Sequence, residues 1–345
     1  MNIIQIIETF FIAVVGSYAL IPLIKKVAIK FKYVDMPKDN KVHAHPTALL
    51  GGVAIFLAFV IAVSTKTNLM DSVQVKAMLV GCSLLLVIGL IDDKVGMMPE
   101  LKLLGQFLAA LIVIKSGVRA EFLPNYYLNV IFTYVWIIGI TNSFNLLDNM
   151  NGLSSGIASI AAAFFGIIAY MNGQSMVCAI SFALAGATLG FLKHNFPKAN
   201  IFMGDVGSLI IGYVLAVIAM LTSWRTDTWT TSLMIPILIL GYPIFDTTLV
   251  TIMRTLERRS VFQGGKDHSS HRLALLGFKR YWAVIIIFFF CLFLGLMAIA
   301  VKMVSTPIAI GFGVFAFIVM LLLGIYLSFV DTKRYGRKKG AYNAE

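Results

Sequence analysis

The chain has 345 residues, of which 59% are hydrophobic and only 13% are charged. Its mean hydropathy is +0.89, whereas a soluble domain of this length carries about a quarter charged residues. Composition therefore excludes an ordinary soluble enzyme and predicts an all-α, polytopic helical bundle in a membrane. Cys82, Cys178 and Cys291 lie in apolar stretches without metal-binding spacing, so we expect neither a disulfide nor a zinc site.

Apolar runs of about 17–25 residues, each long enough to cross a bilayer, recur along the chain. Eleven occur, near 3–24, 48–65, 73–91, 101–117, 127–147, 153–171, 175–192, 206–223, 230–253, 281–301 and 306–330. The first lacks a basic stretch before it and a cleavage site after it, so we interpret it as a retained span. No linker rich in Pro, Gly or Ser divides the chain. Residues 1–345 are therefore predicted to form one integral membrane domain.

The distribution of basic residues predicts the orientation of the bundle. If the N-terminus is outside, the cytoplasmic segments are 25–47, 92–102, 148–152, 193–205, 254–280 and the C-terminal tail. These segments hold 22 of the 28 Lys and Arg residues, which is the asymmetry typical of cytoplasmic loops. The net charge of +12 thus indicates membrane orientation, with a cytoplasmic C-terminus, and gives no reason to expect a nucleic-acid partner.

Two adjacent carboxylates end the third span. Asp92 and Asp93 are followed by Lys94, and the pair alone is compatible with a solvated helix end. The C-terminus of a helix disfavours anions, however. A divalent cation or a cationic partner therefore explains the pair better.

A second polar stripe ends the fifth span. Asn142, Asn145 and Asp148 are spaced three residues apart and share one face of a helix. Polar groups at the membrane edge are costly and by default functional, although hydrogen bonds between helices are an alternative. Small residues beginning at Gly152 open the next span, where free backbone N–H groups favour an anion.

Asp205 precedes the eighth span and is flanked by glycines in the run NFPKANIFMGDVGS, residues 195–208. A helix-capping aspartate is the simpler interpretation of Asp205. The functional alternative is a ligand site in which the Phe202 ring stacks on a base and the Asn195 amide hydrogen-bonds to it. Glycine on both sides of Asp205 permits a ligand to approach the backbone closely.

The longest predicted cytoplasmic loop, 254–280, contains seven Lys and Arg residues, one of which is Arg272. It also contains Asp267, His268 and His271. A loop that sets topology near anionic lipid heads is the alternative to a binding site. We favour recognition of a phosphate or pyrophosphate. Carboxylates for Mg²⁺, cations for phosphate and an aromatic ring for a base together indicate phosphoryl transfer at the membrane surface.

These motifs resemble the polyprenyl-phosphate N-acetylhexosamine-1-phosphate transferases, a family within glycosyltransferase family 4 that includes the phospho-N-acetylmuramoyl-pentapeptide translocase. The resemblance covers nearly the whole chain. It rests on KVHAHPTALLGG (41–52), IDDK (91–94), NSFNLLDNMNGL (142–153), NFPKANIFMGDVGS (195–208), PIFDT (243–247) and KDHSSHRL (266–273). It implies transfer of a sugar-1-phosphate, expected to be GlcNAc-1-phosphate, from a UDP-sugar to undecaprenyl phosphate, with release of UMP and a requirement for Mg²⁺ or Mn²⁺.

The resemblance also implies roles for individual residues. Asp205 would be the principal metal ligand, Asn195 and Phe202 would contact uracil, and Asp92 or Asp93 would be a base or a contact to metal and lipid phosphate. The candidate catalytic residues are Asp92, Asp93, Asp148, Asp205, His268 and His271. The candidate substrate-binding residues are Lys41, His43, Asn142, Asn145, Asn151, Asn195, Phe202 and Arg272. The candidate metal ligands are Asp205, Asp148, Asp92 and Asp93.

The sequence departs from the family pattern at two places, and two alternative functions are considered. Asn151 stands where many relatives carry Asp, and the HSSH loop lacks the longer histidine run of the pentapeptide translocase, which favours a UDP-GlcNAc-type donor. A phospho-MurNAc-pentapeptide transferase is one alternative. A proton- or cation-coupled transporter is another, because Asp246 lies inside the ninth span.

The expected setting is the inner (plasma) membrane among its lipids, with a cytoplasmic active site serving lipopolysaccharide, teichoic acid or a similar envelope polymer. The sequence leaves homodimerisation open.

Overall fold

The computed structural model describes residues 3–36, 46–222, 229–261 and 265–332. These ranges are almost entirely helical, which confirms the all-α prediction. The helices are α1 Ile3–Lys30, α2 Gly51–Ser64, α3 Thr67–Met70, α4 Val73–Val95, α5 Pro99–Lys115, α6 Tyr126–Leu147, α7 Leu153–Met171, α8 Ser175–Asn195, α9 Gly204–Leu221, α10 Trp229–Ile239, α11 Gly241–Leu256, α12 Ser269–Leu275, α13 Arg280–Met303 and α14 Thr306–Ser328.

Local sequence signals set several helix ends. The Ser72 hydroxyl accepts from the backbone N–H of Val75 and starts α4, and the Asn125 side chain caps the first turn of α6. Such caps satisfy N–H groups that have no partner within the helix. Pro99 begins α5, where its missing N–H costs nothing. These signals fix where the apolar segments begin.

A short sheet ties the first described loop to the start of α9. Strands β1 (Val34–Asp35) and β2 (Thr47–Ala48) pair antiparallel. The chain after β2 then bonds to the segment before α9, with Gly51 N–H donating to the Phe202 carbonyl at 2.9 Å and Gly52 N–H to the Met203 carbonyl at 2.8 Å. The start of α2 is therefore held beside the start of α9.

Helix α9 lies at the centre of the bundle. Of its 18-residue apolar stretch, 83% is buried, more than in any other candidate span of the described ranges. It crosses α2 closely, because a Cβ on Gly52 would lie 2.1 Å from the backbone nitrogen of Gly207. Asp205 stands in the first turn of α9, so the most constrained helix of the bundle carries this candidate ligand.

The described residues contain fewer candidate membrane spans than the eleven apolar runs of the sequence. Within the described residues, eight helices are long and apolar enough to cross a membrane, or nine if the pair α10 and α11 forms one bent span. The predicted spans 48–65 and 101–117 correspond to α2 with 14 residues and α5 with 17. At 1.5 Å per residue these helices are about 21 and 25 Å long, short of a hydrocarbon core of about 30 Å. Eleven spans and the orientation stay predictions.

The predicted span 230–253 is bent by 77° between α10 and α11. Pro243 lies in the first turn of α11, and because proline has no N–H to donate to the carbonyl of Ile239, it interrupts the hydrogen-bond ladder at the bend. The bend separates an apolar helix, α10, from α11, which carries Asp246 on its buried side. The sequence predicted the apolar length but not the bend.

Pro22 lies within α1 and supplies no N–H to the carbonyl of Tyr18, one turn earlier. The ring of His194, in the last turn of α8, takes the place of this donor, with Nε2 at 3.2 Å from the Tyr18 oxygen. The two rings also pack at 4.8 Å between centroids. His194 therefore joins α8 to α1 and stabilises α1 where Pro22 interrupts its hydrogen bonds.

Candidate active site

The polar clusters that the sequence places at the ends of successive spans meet at one end of the bundle. Asp205 at the start of α9 contacts Asp93 from α4, Lys102 from α5 and Asn145 from α6. The loop before α13 joins them through a 2.8 Å hydrogen bond from Ser270 to Asn149. These clusters, which lie in or beside segments that the sequence predicts to be cytoplasmic, meet at one end of the described helices, while the side of the membrane on which they lie stays a prediction.

Asp93 caps the start of α9. Its carboxylate accepts from the backbone N–H groups of Asp205 at 2.8 Å and Val206 at 3.5 Å. An anion at a helix N-terminus is stabilised by the free N–H groups and the helix dipole. Gly204, with φ of +73°, permits the approach, since a Cβ there would lie 2.4 Å from the carboxylate. Asp93 thereby fixes the position of Asp205.

Lys102 lies between two carboxylates and is the site residue that the sequence analysis missed. Its ammonium contacts Asp92 and lies 3.2 Å from Asp205 Oδ2. The other oxygen of Asp92 accepts the backbone N–H of Met97 at 2.6 Å. The sequence feature that could have identified Lys102 is its place in the first turn of α5. The helix dipole disfavours a cation there, so an anionic partner is expected.

The two asparagines of the α6 stripe have different partners. The Asn145 amide donates to Asp205 Oδ1 at 2.5 Å and to the Ser208 hydroxyl at 2.9 Å. Asn142 instead forms a reciprocal pair with Gln106 of α5, at 2.6 and 3.2 Å. Asn145 therefore belongs to the Asp205 site, whereas the contacts of Asn142 support the alternative of a hydrogen bond between helices.

Asp148 and Asn151 lie in the exposed turn between α6 and α7. Asp148 ends α6. Desolvation by the surrounding protein and, after it, the charges of Asp205 and Asp93 raise the pKa of its carboxyl to about 7. The Asn151 amide donates to the carbonyl of Pro197 at 3.3 Å. This turn thus carries Asp148 and Asn151 to the edge of the site.

The Asn195 amide holds this turn against the segment before α9. Its oxygen accepts the Gly152 N–H at 2.5 Å, and its nitrogen donates to the Ile201 carbonyl at 2.8 Å. These contacts give Asn195 a positioning role, and its predicted contact with a base stays a prediction. Half-buried Phe202 lies nearby on the strand-like segment. Lys41 and His43 lie outside the described residues.

The loop histidines are buried. His268 Nδ1 lies 2.7 Å from a carboxylate oxygen of Asp246, and His271 follows one turn later in α12. Burial lowers the pKa of His271 from 6.5 to about 3, and the positive groups of the same loop add to this effect. His271 is therefore a neutral imidazole at physiological pH.

Asp267 and Arg272 were predicted to recognise phosphate, but their contacts are internal. Arg254 donates to both oxygens of Asp267, at 2.8 and 2.9 Å. Burial opposes ionisation, but this ion pair lowers the pKa of Asp267 to about 2. Arg272, which is 1% exposed, donates to the Asp267 carbonyl at 2.8 Å and to Leu327 and Val330 carbonyls at the end of α14. The geometry favours an anchoring role for both residues.

The predicted set of four metal-binding carboxylates is not assembled in full. Within the ranges that the structure describes, no three His, Cys, Asp or Glu side chains are arranged to hold a metal ion. Asp92 and Asp205 nevertheless converge on one cationic group, the Lys102 ammonium. Their hard oxygen donors fit Mg²⁺, which takes one or two carboxylates and completes its shell with water and phosphate.

Fold and site together define an integral, multi-pass membrane protein with carboxylates, a lysine and imidazoles gathered at one end of its helices. Residues 75–223 match the family model described as Glycosyl transferase family 4. Three relatives are similar over most of their length. A probable undecaprenyl-phosphate N-acetylglucosaminyl 1-phosphate transferase from Bacillus subtilis is 33% identical over 310 residues, covering 87% of this chain and 86% of the relative.

The other two relatives carry different names. A decaprenyl-phosphate N-acetylglucosaminephosphotransferase from Mycobacterium tuberculosis is 30% identical over 322 residues, covering 83% of this chain and 79% of the relative. A phospho-N-acetylmuramoyl-pentapeptide-transferase from Caldanaerobacter subterraneus is 30% identical over 320 residues, covering 84% and 96%. The chain belongs to the polyprenyl-phosphate N-acetylhexosamine-1-phosphate transferase family.

Proposed function

We propose that the protein transfers N-acetylhexosamine-1-phosphate, specifically GlcNAc-1-phosphate, from a UDP-sugar to undecaprenyl phosphate. An oxygen of the lipid phosphate bonds to the phosphorus that carries the sugar, and the bond from that phosphorus to UMP breaks. UMP and a lipid-linked pyrophosphoryl sugar are the products. The observation that carries this proposal is the convergence of Lys102 and Asn145 on Asp205, with Asp92 on the same ammonium group, in a member of this family.

The choice of donor rests on two observations. The Bacillus subtilis and Mycobacterium tuberculosis relatives are named for N-acetylglucosaminyl phosphate transfer, and the loop reads HSSH where the pentapeptide translocase has a longer histidine run. Undecaprenyl phosphate is the lipid in the name of the Bacillus relative. We place the reaction at the cytoplasmic face of the plasma membrane, as the first membrane step of a wall polymer or surface polysaccharide.

The lipid phosphate needs little help to become a nucleophile. The second pKa of a phosphate monoester is near 6, so most of it is dianionic at neutral pH. Asp93, engaged with two N–H groups of α9, then acts as a positioning group for Asp205 and not as a strict base. Lys102 neutralises the carboxylates, so that an anionic substrate can approach the site.

Mg²⁺ or Mn²⁺ is proposed as the cofactor, held by Asp205 and Asp92, with Asp148 at the edge of the nucleotide pocket. When bound, such an ion neutralises charge on the diphosphate. Asn145 orients Asp205 through its 2.5 Å hydrogen bond. The protein's own contribution is thus largely positioning and charge balance, as expected for phosphoryl transfer.

A phospho-MurNAc-pentapeptide transferase is the second candidate, favoured by relatives of that name at 30% identity. A transporter is the alternative that Asp246 suggested. That carboxylate is bonded to the His268 loop, so its presence in α11 is accounted for within the transferase.

The experiment that tests the proposal identifies the lipid product. Detergent-purified protein would be incubated with undecaprenyl phosphate, Mg²⁺ and, separately, UDP-GlcNAc, UDP-GalNAc or UDP-MurNAc-pentapeptide. We expect mass spectrometry to detect a pyrophosphate-linked N-acetylhexosamine from UDP-GlcNAc. Product from the pentapeptide donor alone would replace the proposed donor, and absence of product from every donor would contradict the proposed function.

A further inference from the structure

A buried network joins α11 to the histidine loop. Asp246 is 0% exposed, and its Oδ2 lies 2.7 Å from His268 Nδ1. Its Oδ1 accepts both the backbone N–H of Ser269, at 2.7 Å, and the Ser269 hydroxyl, at 2.5 Å. The hydroxyl of Tyr242 lies 2.7 Å from the same Ser269 oxygen. The Asp246 carboxylate therefore has three donors from two consecutive loop residues.

The chemistry of the donors fixes where the protons lie. An ionised carboxylate only accepts hydrogen bonds, so the His268 nitrogen that faces Asp246 carries a hydrogen. Because the Ser269 hydroxyl donates to Asp246, the Tyr242 hydroxyl donates to Ser269. A neutral His268 ring thus has its hydrogen on Nδ1 and its lone pair on Nε2, and only Nε2 is left for another partner.

The free-energy cost of burying the Asp246 charge indicates that this network is not incidental packing. A buried charge is unfavourable unless paired and fully hydrogen-bonded, yet an acid is kept at this depth beside a loop. The same loop reaches the turn that carries Asp148, through the 2.8 Å bond from Ser270 to Asn149. Asp246 therefore fixes a histidine in the loop that contacts the turn of Asp148.

We propose, on the basis of the function proposed above, that Asp246 is a positioning residue for His268. It holds the ring in one orientation with a hydrogen on Nδ1, so that Nε2, after taking up a proton from water, donates a hydrogen bond to the diphosphate of the donor. The carboxylate behind the ring stabilises its positive charge. This charge counters the negative charge that develops on the departing UMP as the phosphorus–oxygen bond breaks, so the interaction is strongest in the transition state. Asp246 itself touches no substrate.

The substitution Asp246→Asn tests the proposal with the smallest change in shape. The Ser269 N–H requires an acceptor, so the amide oxygen stays on that side and the amide nitrogen faces His268. An N–H group opposite Nδ1 forces the ring hydrogen to Nε2 and removes the balancing charge. We expect kcat to fall by about 10- to 100-fold, which is the loss of one hydrogen bond to a charged group, while KM for the UDP-sugar changes by less than about threefold.

Ser269→Ala is the matched control, because it removes one bond to Asp246 and leaves the His268 contact intact. We expect this variant to stay within about threefold of the wild type. In a His268→Gln background, adding Asp246→Asn should lower kcat no further, since Asp246 acts through the ring. A further loss of tenfold in the double variant would overturn the proposal, as would an unchanged kcat in Asp246→Asn.

Nitrogen-15 NMR of histidine-labelled wild-type protein supplies a readout that needs no substrate. The His268 signals, assigned by comparison with His268→Gln, should report a hydrogen on Nδ1, and those of Asp246→Asn a hydrogen on Nε2. A wild-type ring with a bare Nδ1 contradicts the proposal even if Asp246→Asn does not fold. Wild-type protein that shows the expected spectrum but transfers no sugar phosphate would contradict the proposed function and not the positioning by Asp246.

Discussion

Lys102 sets the charge balance of the site. Its ammonium contacts Asp92 and lies 3.2 Å from Asp205, and its side chain is only 20% exposed. Like charges at close range repel strongly when water is partly excluded. Without Lys102, the two carboxylates would face each other and an incoming diphosphate with no fixed cation from the protein.

We predict that Lys102→Met lowers the rate of UMP release by about 100-fold, the scale expected for a group that stabilises charge in the transition state. The variant should remain folded, because methionine retains the apolar stem. Lys115→Met is the control, since Lys115 is exposed at the other end of α5. Full activity in a monodisperse Lys102→Met preparation would mean that Lys102 has no part in the reaction.

His271 is predicted to make the protein sensitive to acid. Because its folded pKa is about 3 instead of 6.5, the unfolded chain binds a proton that the folded one does not. Stability is therefore lost as the pH falls below about 6.5 and continues to fall towards 3. Each pH unit in this window costs about 1.4 kcal/mol.

The measurement is thermal unfolding in detergent at pH 7.5 and pH 5.0, for the wild type and His271→Gln. We expect the wild type to lose more stability between the two values than the variant, by about 2 kcal/mol. Equal losses in the two proteins would show that His271 does not titrate in this way.

At the scale of elements, α12 and the loop before it are anchored from two sides. Arg254 of α11 forms a two-point ion pair with Asp267, and Arg272 bonds to carbonyls at the end of α14. Removing one partner of a buried pair leaves an uncompensated charge. Arg254→Met should therefore destabilise the protein by about 3 kcal/mol and speed hydrogen exchange of the backbone over 266–275.

Arg258→Met is the matched control for that loop, because Arg258 is exposed on the same segment. Denaturant unfolding and hydrogen exchange measured by mass spectrometry would compare the two variants. If they behave alike, the ion pair contributes no more than a surface charge, and the loop is held by other contacts.

The turn between α6 and α7 should tolerate a carboxylate. Asn151 is exposed, and its 3.3 Å bond to Pro197 is long. Asn151→Asp is therefore expected to keep UMP release within about threefold, the effect of one weak hydrogen bond. A folded but inactive variant would show that this pocket depends on the amide.

The sequence predicts some elements of the site better than others. Asp205 and Asp93 were found because a carboxylate at the end of an apolar run is costly unless it caps a helix or binds a ligand. Lys102 was missed because a lone lysine at a helix start resembles a topology signal, and its partner Asp205 lies about 100 residues away in sequence. Asp267 and Arg272 were assigned to a ligand because residue type alone does not distinguish an external anion from an internal ion pair.

The same limit applies to the helices. Apolar length predicted the position of each long helix, since a stretch buried in lipid is read directly from composition. It did not predict the bend between α10 and α11, nor that α2 ends after 14 residues. The end of α2 depends on packing against neighbouring helices, and the bend depends on a proline. Hydropathy along one segment describes neither of these.

At the scale of the whole molecule, one central helix carries the site and the surrounding helices position it. Helix α9 presents Asp205, α4 caps it with Asp93, α5 supplies Lys102 and α6 supplies Asn145. In the proposed function, this end of the helices lies at the membrane surface, where a soluble phosphorylated donor and a lipid acceptor would both reach it. The central claim is that Asp205 organises a metal-dependent sugar-phosphate transfer.

The most direct test is UMP release from UDP-GlcNAc and undecaprenyl phosphate by wild-type protein and Asp205→Asn, each with Mg²⁺ and with EDTA. We predict that the wild type releases UMP only with Mg²⁺, and that the folded variant is at least about 100-fold slower. Turnover by Asp205→Asn near the wild-type rate, or wild-type turnover that persists in EDTA, would contradict the account.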